Sequence, residues 1–452
     1  MQLHRVRIWL AVVSAVVFAA FSHTAAARTL CVKAHSWPVC YSTIQSAVSA
    51  ASPHDTILVA PGVYKEYVTI DRPVALLSAG GSAVVNATGL AHGFFVDGWD
   101  HPGLADVTIA GFTVKNALFE GILTVNAVDV TVRDNIIANN DKSPGLSFTG
   151  ATMGCPDQPG NGVYENDETG DCGGAIHLIG TVNSILSGNT ITGNADGLLI
   201  SDESGESRNN LITHNTFKDN PLECGIVLAS HPRTGTAPFG PHFGVDNNTV
   251  ADNVSAENGV QIGGSGVGLF SDGNGPGRVS GNVIVGNTLT GNGLGGVALH
   301  THVGPSFGAP PDDMNGNMII GNYIADNLAD TDDTATPGKV GININSGGGG
   351  SPVLGTVISQ NTIRDEDVDV AINTPTEVDV HLNNLLGGKV GIADVCAFDK
   401  ATACTGSIDA TQNYWGCLLG PGFGRCSKAS GSDILYTPWL LTAVDSGSGG
   451  GH

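Results

Sequence analysis

Short apolar runs of three to five residues recur along the chain, each alternating with small or polar residues and each framed by Asn and Gly. Asn189-Thr-Ile-Thr-Gly-Asn194 leads to Gly197-Leu-Leu-Ile, and Asn215-Thr-Phe-Lys-Asp-Asn220 leads to Gly225-Ile-Val-Leu. Asn282-Val-Ile-Val-Gly-Asn287-Thr-Leu-Thr-Gly-Asn292 leads to Gly296-Val-Ala-Leu, and Asn317-Met-Ile-Ile-Gly-Asn322 runs on to Gly341-Ile-Asn-Ile. Runs this short with a period of two predict strands, not helices. Taking Asn189, Asn215, Asn253, Asn287, Asn322 and Asn361 as equivalent gives a repeat of roughly 26 to 39 residues, the range of solenoids. The first half is looser, yet Val107–Val114, Ile122–Val125 and Val128–Ile137 carry the same short strands. Propeller blades need hairpins, and matched strands around Asn-Gly are not the pattern. Coils stacked in parallel put equivalent asparagines one strand spacing apart, about 4.8 Å, where their amides form ladders.

Composition narrows the class further. Of 452 residues 64 are Gly, a density that disfavours helices, and no Gly-X-Y period suggests collagen. Hydrophobic residues make up 41%, enough for a core, so a disordered chain is excluded. The formal net charge is −23 with no basic stripe, which argues against nucleic acid and for neutral or cationic partners or divalent cations.

His4, Arg5 and Arg7 precede an apolar run from Ile8 to Phe21 and then Ala25-Ala26-Ala27, the three parts of a secretory signal peptide over 1–27. The run is too short to span a bilayer and no second span follows, so a secreted or periplasmic monomer is expected. In that compartment most of the nine cysteines should pair. Neighbour spacing suggests Cys31–Cys40, Cys155–Cys172, Cys396–Cys404 and Cys417–Cys426, leaving Cys224 alone.

The two ends carry a resemblance. Thr43-Ile-Gln-Ser-Ala-Val-Ser-Ala-Ala51, Asp55-Thr-Ile-Leu-Val-Ala-Pro-Gly-Val-Tyr64 and Glu66-Tyr-Val-Thr-Ile70 open the chain, and Asp409-Ala-Thr-Gln-Asn-Tyr-Trp-Gly416 with Tyr436-Thr-Pro-Trp-Leu440 close it. With the repeats between, the sequence resembles the right-handed parallel β-helix proteins of the pectin-lyase-like superfamily. The resemblance implies an all-β chain: a single-stranded right-handed parallel β-helix solenoid with a short N-terminal capping helix. Ile44, Ala47, Val48 and Ala51 share one face of that helix and can cover the end of the stack. The expected segments are an N-terminal cap over 28–54, repeats over 55–408, a C-terminal cap over 409–442 and a flexible tail over 443–452. Polysaccharide lyases, hydrolases, esterases and epimerases share this scaffold, but the paired-aspartate hydrolase pattern, the methylesterase phrase and the pectate-lyase arginine segment are all missing. One scaffold carries many functions, so chemistry has to be read from the site.

Register supplies a candidate site. Counting onward from Gly197, Gly225, Gly266, Gly296 and Gly341, odd positions are apolar and face inward. The fourth and sixth positions then face outward: Ser201 and Glu203, Ala229 and His231, Phe270 and Asp272, His300 and His302, and Asn345, with His177 outward on an earlier turn. The insertions Lys142–Gly174, Pro232–Asp246 and Val303–Asn315 leave from the same side and can wall a groove. His231, Asp272, His300 and His302, with Arg233, are the catalytic candidates. Glu203, Phe239, Phe243, Phe270, Phe307 and Arg278 are the candidates for holding a sugar. Two chemistries fit: proton removal by His or carboxylate beside a cation, or a transition metal on His231, His300, His302 and Asp272. A calcium ion on Asp330, Asp332 and Asp333 is a third. These residues point to an exported protein that binds a polysaccharide, with lyase, epimerase or hydrolase chemistry as the candidate modification. A non-catalytic surface rod and a periplasmic metal-related β-helix protein, resembling those of nitrous-oxide-reductase maturation, are the alternatives.

Overall fold

A computed structural model describes residues 27–33, 40–140, 174–230, 243–271, 276–301, 310–331, 336, 338–346, 351–374, 378–395 and 407–445. The chain winds into a coil bounded by three parallel sheets of 14, 11 and 12 strands, here A, B and C. One circuit shows the plan: Thr249–Ala251 joins sheet A, Val254–Ala256 sheet B and Val267–Ser271 sheet C. The next circuit repeats it one strand spacing along, in register, so Val250 lies beside Ile284, Ser255 beside Leu289 and Leu269 beside Leu299. At about 4.8 Å per coil, sheet A is roughly 60 Å long.

Period-two alternation builds the interior. The middle residue of the three-residue strands in sheets A and B points inward, except in Gly62–Tyr64 where Tyr64 does, giving files such as Ile212, Val250, Ile284 and Ile319 that are wholly buried. Sheet C adds Leu198 and Ile200, Ile226 and Leu228, Val267 and Leu269, and Val297 and Leu299, matching the inward positions counted from sequence. One core runs from Val32 to Ile434. Each such side chain contributes about 1.5–3 kcal/mol by leaving water.

The corners explain the asparagines. Between sheets A and B the chain turns in two residues, the first left-handed and the second Asn: His214-Asn215 with φ 56°, Asp252-Asn253 with φ 55° and Gly286-Asn287 with φ 67°. Asn, Asp and Gly tolerate that left-handed step, which is why Gly-Asn and Asp-Asn pairs punctuate the sequence. The Asn side chain then bonds along the stack. Asn253 Oδ1 accepts from Asn215 N at 2.9 Å and Asn215 Nδ2 at 3.0 Å, while its own Nδ2 donates to Ile212 O and Asn287 Oδ1. Nine asparagines from Asn135 to Asn413 continue this ladder. A second runs Asn210, Asn248, Asn282, Asn317 at the entry to sheet A, and a third Asn140, Asn194, Asn220, Asn258, Asn292, Asn327 after sheet B. Each rung satisfies backbone N–H and C=O groups that the turn would otherwise strand.

The N-terminal end is covered as expected. The helix Ile44–Ala50 buries Ile44, Ala47 and Val48, and Thr43 and Ser46 form a reciprocal capping box. Glu66 adds its two carboxylate oxygens to Ile44 N and Gln45 N at that helix start. Thr29–Val32 pairs in parallel with Asp55–Val59, so sheet A begins ahead of the helix. Cys31–Cys40 and Cys417–Cys426 are disulfides, and Cys224 is a buried thiol whose Sγ accepts from Ser265 N. Cys155, Cys172, Cys396 and Cys404, like residues 1–26 of the expected signal peptide, lie outside the described residues. Among the described residues no helix is long and apolar enough to cross a membrane.

Candidate functional site

Sheets A and B expose their outward positions in the ordinary way, with half-exposed Thr, Ile, Lys and Arg. Sheet C does not. Ile226–Ser230, Val267–Ser271 and Val297–Thr301 are buried at every position, inward and outward alike. The outward file counted from sequence is there, with Ser201, Ala229, Phe270, His300 and Asn345 in register, and Asn373 continues it on a sixth strand. The expectation of an open groove floor is corrected at these positions: the outward side chains are themselves buried, and the polar groups among them must satisfy one another.

Two polar clusters do so. In the first, His300 Nε2 is 3.0 Å from Asp330 Oδ2, and Asn343 Nδ2 donates to the same oxygen at 2.8 Å. The His300 and Asp330 side chains are within 2% of full burial. The Phe270 ring meets the His300 ring edge-on, 5.5 Å between centres. Gly268 makes this possible, since a Cβ there would stand 2.1 Å from Phe270 Cε2. Asn373 Nδ2 donates to Asn345 Oδ1, and Ser346 Oγ to Thr374 Oγ1, extending the polar file by one more coil.

The second cluster lies about three coils toward the N-terminus. His177 Nε2 and Ser201 Oγ are 2.7 Å apart, and the Ser201 hydroxyl donates to Glu203 Oε2. The serine has one proton, and it is committed to Glu203, so His177 Nε2 is the donor to Ser201. Behind it Glu120 stands between two imidazoles, 2.5 Å from His92 Nδ1 and 3.7 Å from His177 Nδ1. Burial opposes charge on Glu120, but the two histidines outweigh it and hold the carboxyl below the ordinary carboxylate range.

The sequence-predicted residues therefore separate. His300, Phe270 and Asp330 come together, although Asp330 was expected in a calcium turn with Asp332 and Asp333. Glu203 joins the second cluster. Arg278 sits at the corner into sheet A, bound to Asp246 Oδ2 at 2.8 Å, Glu206 Oε1 at 3.3 Å and Phe243 O at 2.5 Å. Phe243 is 41% exposed. His231, Arg233, Phe239, Asp272, His302, Phe307, Asp332 and Asp333 lie outside the described residues. Among the described residues no group of three or more His, Cys, Asp or Glu could hold a metal ion. Sequence reasoning missed His92 and Glu120, because the count began after each glycine. Both stand immediately before one, at Gly93 and Gly121, at the same point of successive coils.

The model of the right-handed β-helix region matches residues 92–237. The fold is a right-handed parallel β-helix. Solved structures agree with the coil. The catalytic unit of an α-1,3-glucanase from Streptomyces thermodiastaticus superposes with a TM-score of 0.51 at 16% identity, covering 80% of this chain and 63% of that one. PfbA, a surface adhesin of Streptococcus pneumoniae, gives 0.49 at 15% identity over 77% of this chain and 83% of its own. An alginate lyase from a Paenibacillus species gives 0.47 at 14% identity over 79% and 95%. No curated protein matches the chain in sequence.

Proposed function

We propose that this β-helix is an exported protein that binds polysaccharide along the outer face of sheet C and modifies it there. The observation that carries the reading is the asymmetry between sheets: sheet C buries its outward side chains and concentrates ionisable pairs among them, and His300 with Asp330 is the pair best built for proton transfer. Asp330 Oδ2 stands 3.0 Å from His300 Nε2, which sets the tautomer and orientation of an imidazole, the side chain best suited to move a proton near neutral pH. Buried, mutually perturbing ionisable groups are costly to keep and concentrate where chemistry is done. Because His300 is covered, the polymer reaches it after a local opening of this face, a step that often sets turnover in gated sites. The glucanase that superposes on the coil is itself named for a polysaccharide, which supports the substrate class. The disulfides at Cys31–Cys40 and Cys417–Cys426 support an oxidising compartment.

The test is a polysaccharide panel scored for new reducing ends, for ultraviolet absorbance of unsaturated ends and for retardation in polysaccharide gels. The expected result is release or retardation with at least one glycan, and a loss of about 10²-fold or more in any turnover for His300→Gln with the melting temperature held. Wild-type turnover in that variant, or no response across the panel, overturns the proposal.

A further inference from the structure

The two ends of the coil are finished differently. At the N-terminal end the helix Ile44–Ala50 turns Ile44, Ala47 and Val48 into the stack. Among the described residues up to Ile70, Val63 alone is a large apolar side chain left exposed. At the other end Lys428–Ser430 is the last strand of sheet C and Ile434–Leu435 the last of sheet A, and no helix follows them among the described residues. There Leu418, Leu419, Phe423, Leu435, Tyr436 and Leu441 are 39% to 62% exposed. No other stretch of equal length among the described residues exposes more than four such side chains.

These six belong to one braced surface. The Cys417–Cys426 disulfide closes the loop that carries Leu418, Leu419 and Phe423. Inside it Phe423 N donates to Gly420 O, Cys426 N to Phe423 O and Gly422 N to Ser427 O. Trp439 Nε1 donates to Leu418 O at 3.3 Å, and the Trp439 ring lies so close over Gly420 that a Cβ there would meet it at 2.5 Å. The stretch holding Leu435, Tyr436 and Leu441 is thereby laid against the loop. Tyr436 also meets the buried Trp415 ring edge-on, 6.3 Å between centres. Apolar side chains on a backbone already fixed cost little further ordering when they are covered. Their exposed area is on the order of 600 Å², the upper end of what a monomer shows, against about 800 Å² per partner in a stable complex with its polar rim included.

Charge says what covers them. Residues 409–445 carry Arg425 and Lys428 against Asp409, Asp433 and Asp445, a net of −1 in a chain of −23. At physiological salt, charges more than about 8 Å from a contact are largely screened, so the local balance decides whether two copies repel. This end is where they repel least, and with both signs present it can oppose unlike charges when set against itself. The segments outside the described residues that adjoin it in sequence are poor in apolar side chains: 396–406 holds one large one, Phe398, and 446–452 none. The N-terminal end has no matching patch, so a head-to-tail stack is not favoured, and Lys428 on the last strand of sheet C discourages open-ended strand pairing.

We infer that the partner of this surface is a second copy of the chain, and that two coils meet at their C-terminal ends about a twofold axis, with the six side chains as the buried centre. This departs from the monomer expected from the sequence, because the exposure of the last coil is a property of the fold and not of the repeat.

The experiment is sedimentation equilibrium of the whole protein from about 1 to 100 μM, with hydrogen exchange measured over the same range. The expected result is a dimer mass, slower exchange in 417–441 as concentration rises, and a dissociation constant raised at least tenfold in Leu418→Asp and in Phe423→Asp with an unaltered circular dichroism spectrum. Val63→Asp, an equally exposed change at the opposite end, should leave the dimer as it is. A monomer throughout the range overturns the inference, as does a mass that climbs past the dimer. A dimer that survives both variants overturns it too. Should the variants fail to fold, wild-type exchange decides: slowing confined to residues outside 417–441 overturns the inference.

Discussion

Glu366 interrupts the third amide ladder and makes the stability of the coil depend on pH. It occupies the rung after Asn327, where the preceding coils place Asn258 and Asn292. Its Oε1 accepts from Asn327 N and Nδ2, both at 3.0 Å, in the manner of the asparagine it replaces. A carboxylate there is charged where the amide was not. Burial raises its pKa from 4.5 to about 7, and the bonds from Asn327 and the field of Lys339 recover part of that rise. The folded state thus binds this proton more tightly than the unfolded chain. Stability from the protonated form is complete below about pH 4.5 and is lost as pH rises through 7, at about 1.4 kcal/mol per pH unit across that window. The full loss is on the order of 3 kcal/mol by pH 8 or above. Glu366→Gln keeps the accepting oxygen and removes the titration. Urea unfolding of wild type and variant between pH 4 and 9 gives as their difference the titration of Glu366 together with its coupling to Asp369, whose carboxyl the charge on Glu366 helps to push up. The difference should be small at pH 4 and grow in favour of the glutamine variant through neutrality. Parallel profiles across the whole range would refute both the assignment of the shift to this rung and the sign.

Three further outcomes follow from the same geometry. Asn253→Ala removes one rung and leaves Asn215 N and Ile212 O without their buried partners, and should cost about 2–4 kcal/mol in chemical unfolding. Asn209→Gly removes the exposed amide bond to Asn183 while keeping a residue that tolerates its φ of 57°, and is the control, expected within about 0.5 kcal/mol of wild type. Gly268→Ala drives a methyl into the Phe270 ring, so the ring must leave its place against His300. Loss of the ring-current shift on the His300 imidazole protons, together with about 1–3 kcal/mol of destabilisation, would report that displacement.

How far the sequence could be read depended on whether a feature repeats. The spacing of Asn189, Asn215, Asn253, Asn287, Asn322 and Asn361 exposed the coil because each is held by the same bonds to the next, so selection for the fold writes the same letter each time. The inward and outward sides of sheet C were legible for a similar reason: a strand offers two faces, and Leu198 with Ile200, or Val297 with Leu299, fixes which one is inside. The left-handed residue ahead of each asparagine was less legible, since Gly, Asp, His, Gln and at Leu382 even a leucine fill it. Glu366 hid behind the same variability. His92 and Glu120 occur once each, and nothing in a period marks a residue used once. Burial of the outward face was beyond pattern altogether, because what lies over a strand is decided by residues distant in sequence.

That last point bears on how the site is made. A solenoid fixes its own backbone through the ladders, so an outward position on sheet C is held to within a strand spacing of its neighbours whatever side chain it carries. The coil can therefore bear the cost of burying His300 against Asp330, or Glu120 between two histidines, without the backbone relaxing to expose them. Sheets A and B, equally rigid, carry no such pairs among the described residues. Rigidity alone does not explain the difference. The polar groups were placed on one face of three that could have held them, and a face chosen in that way is the one on which a ligand should be sought.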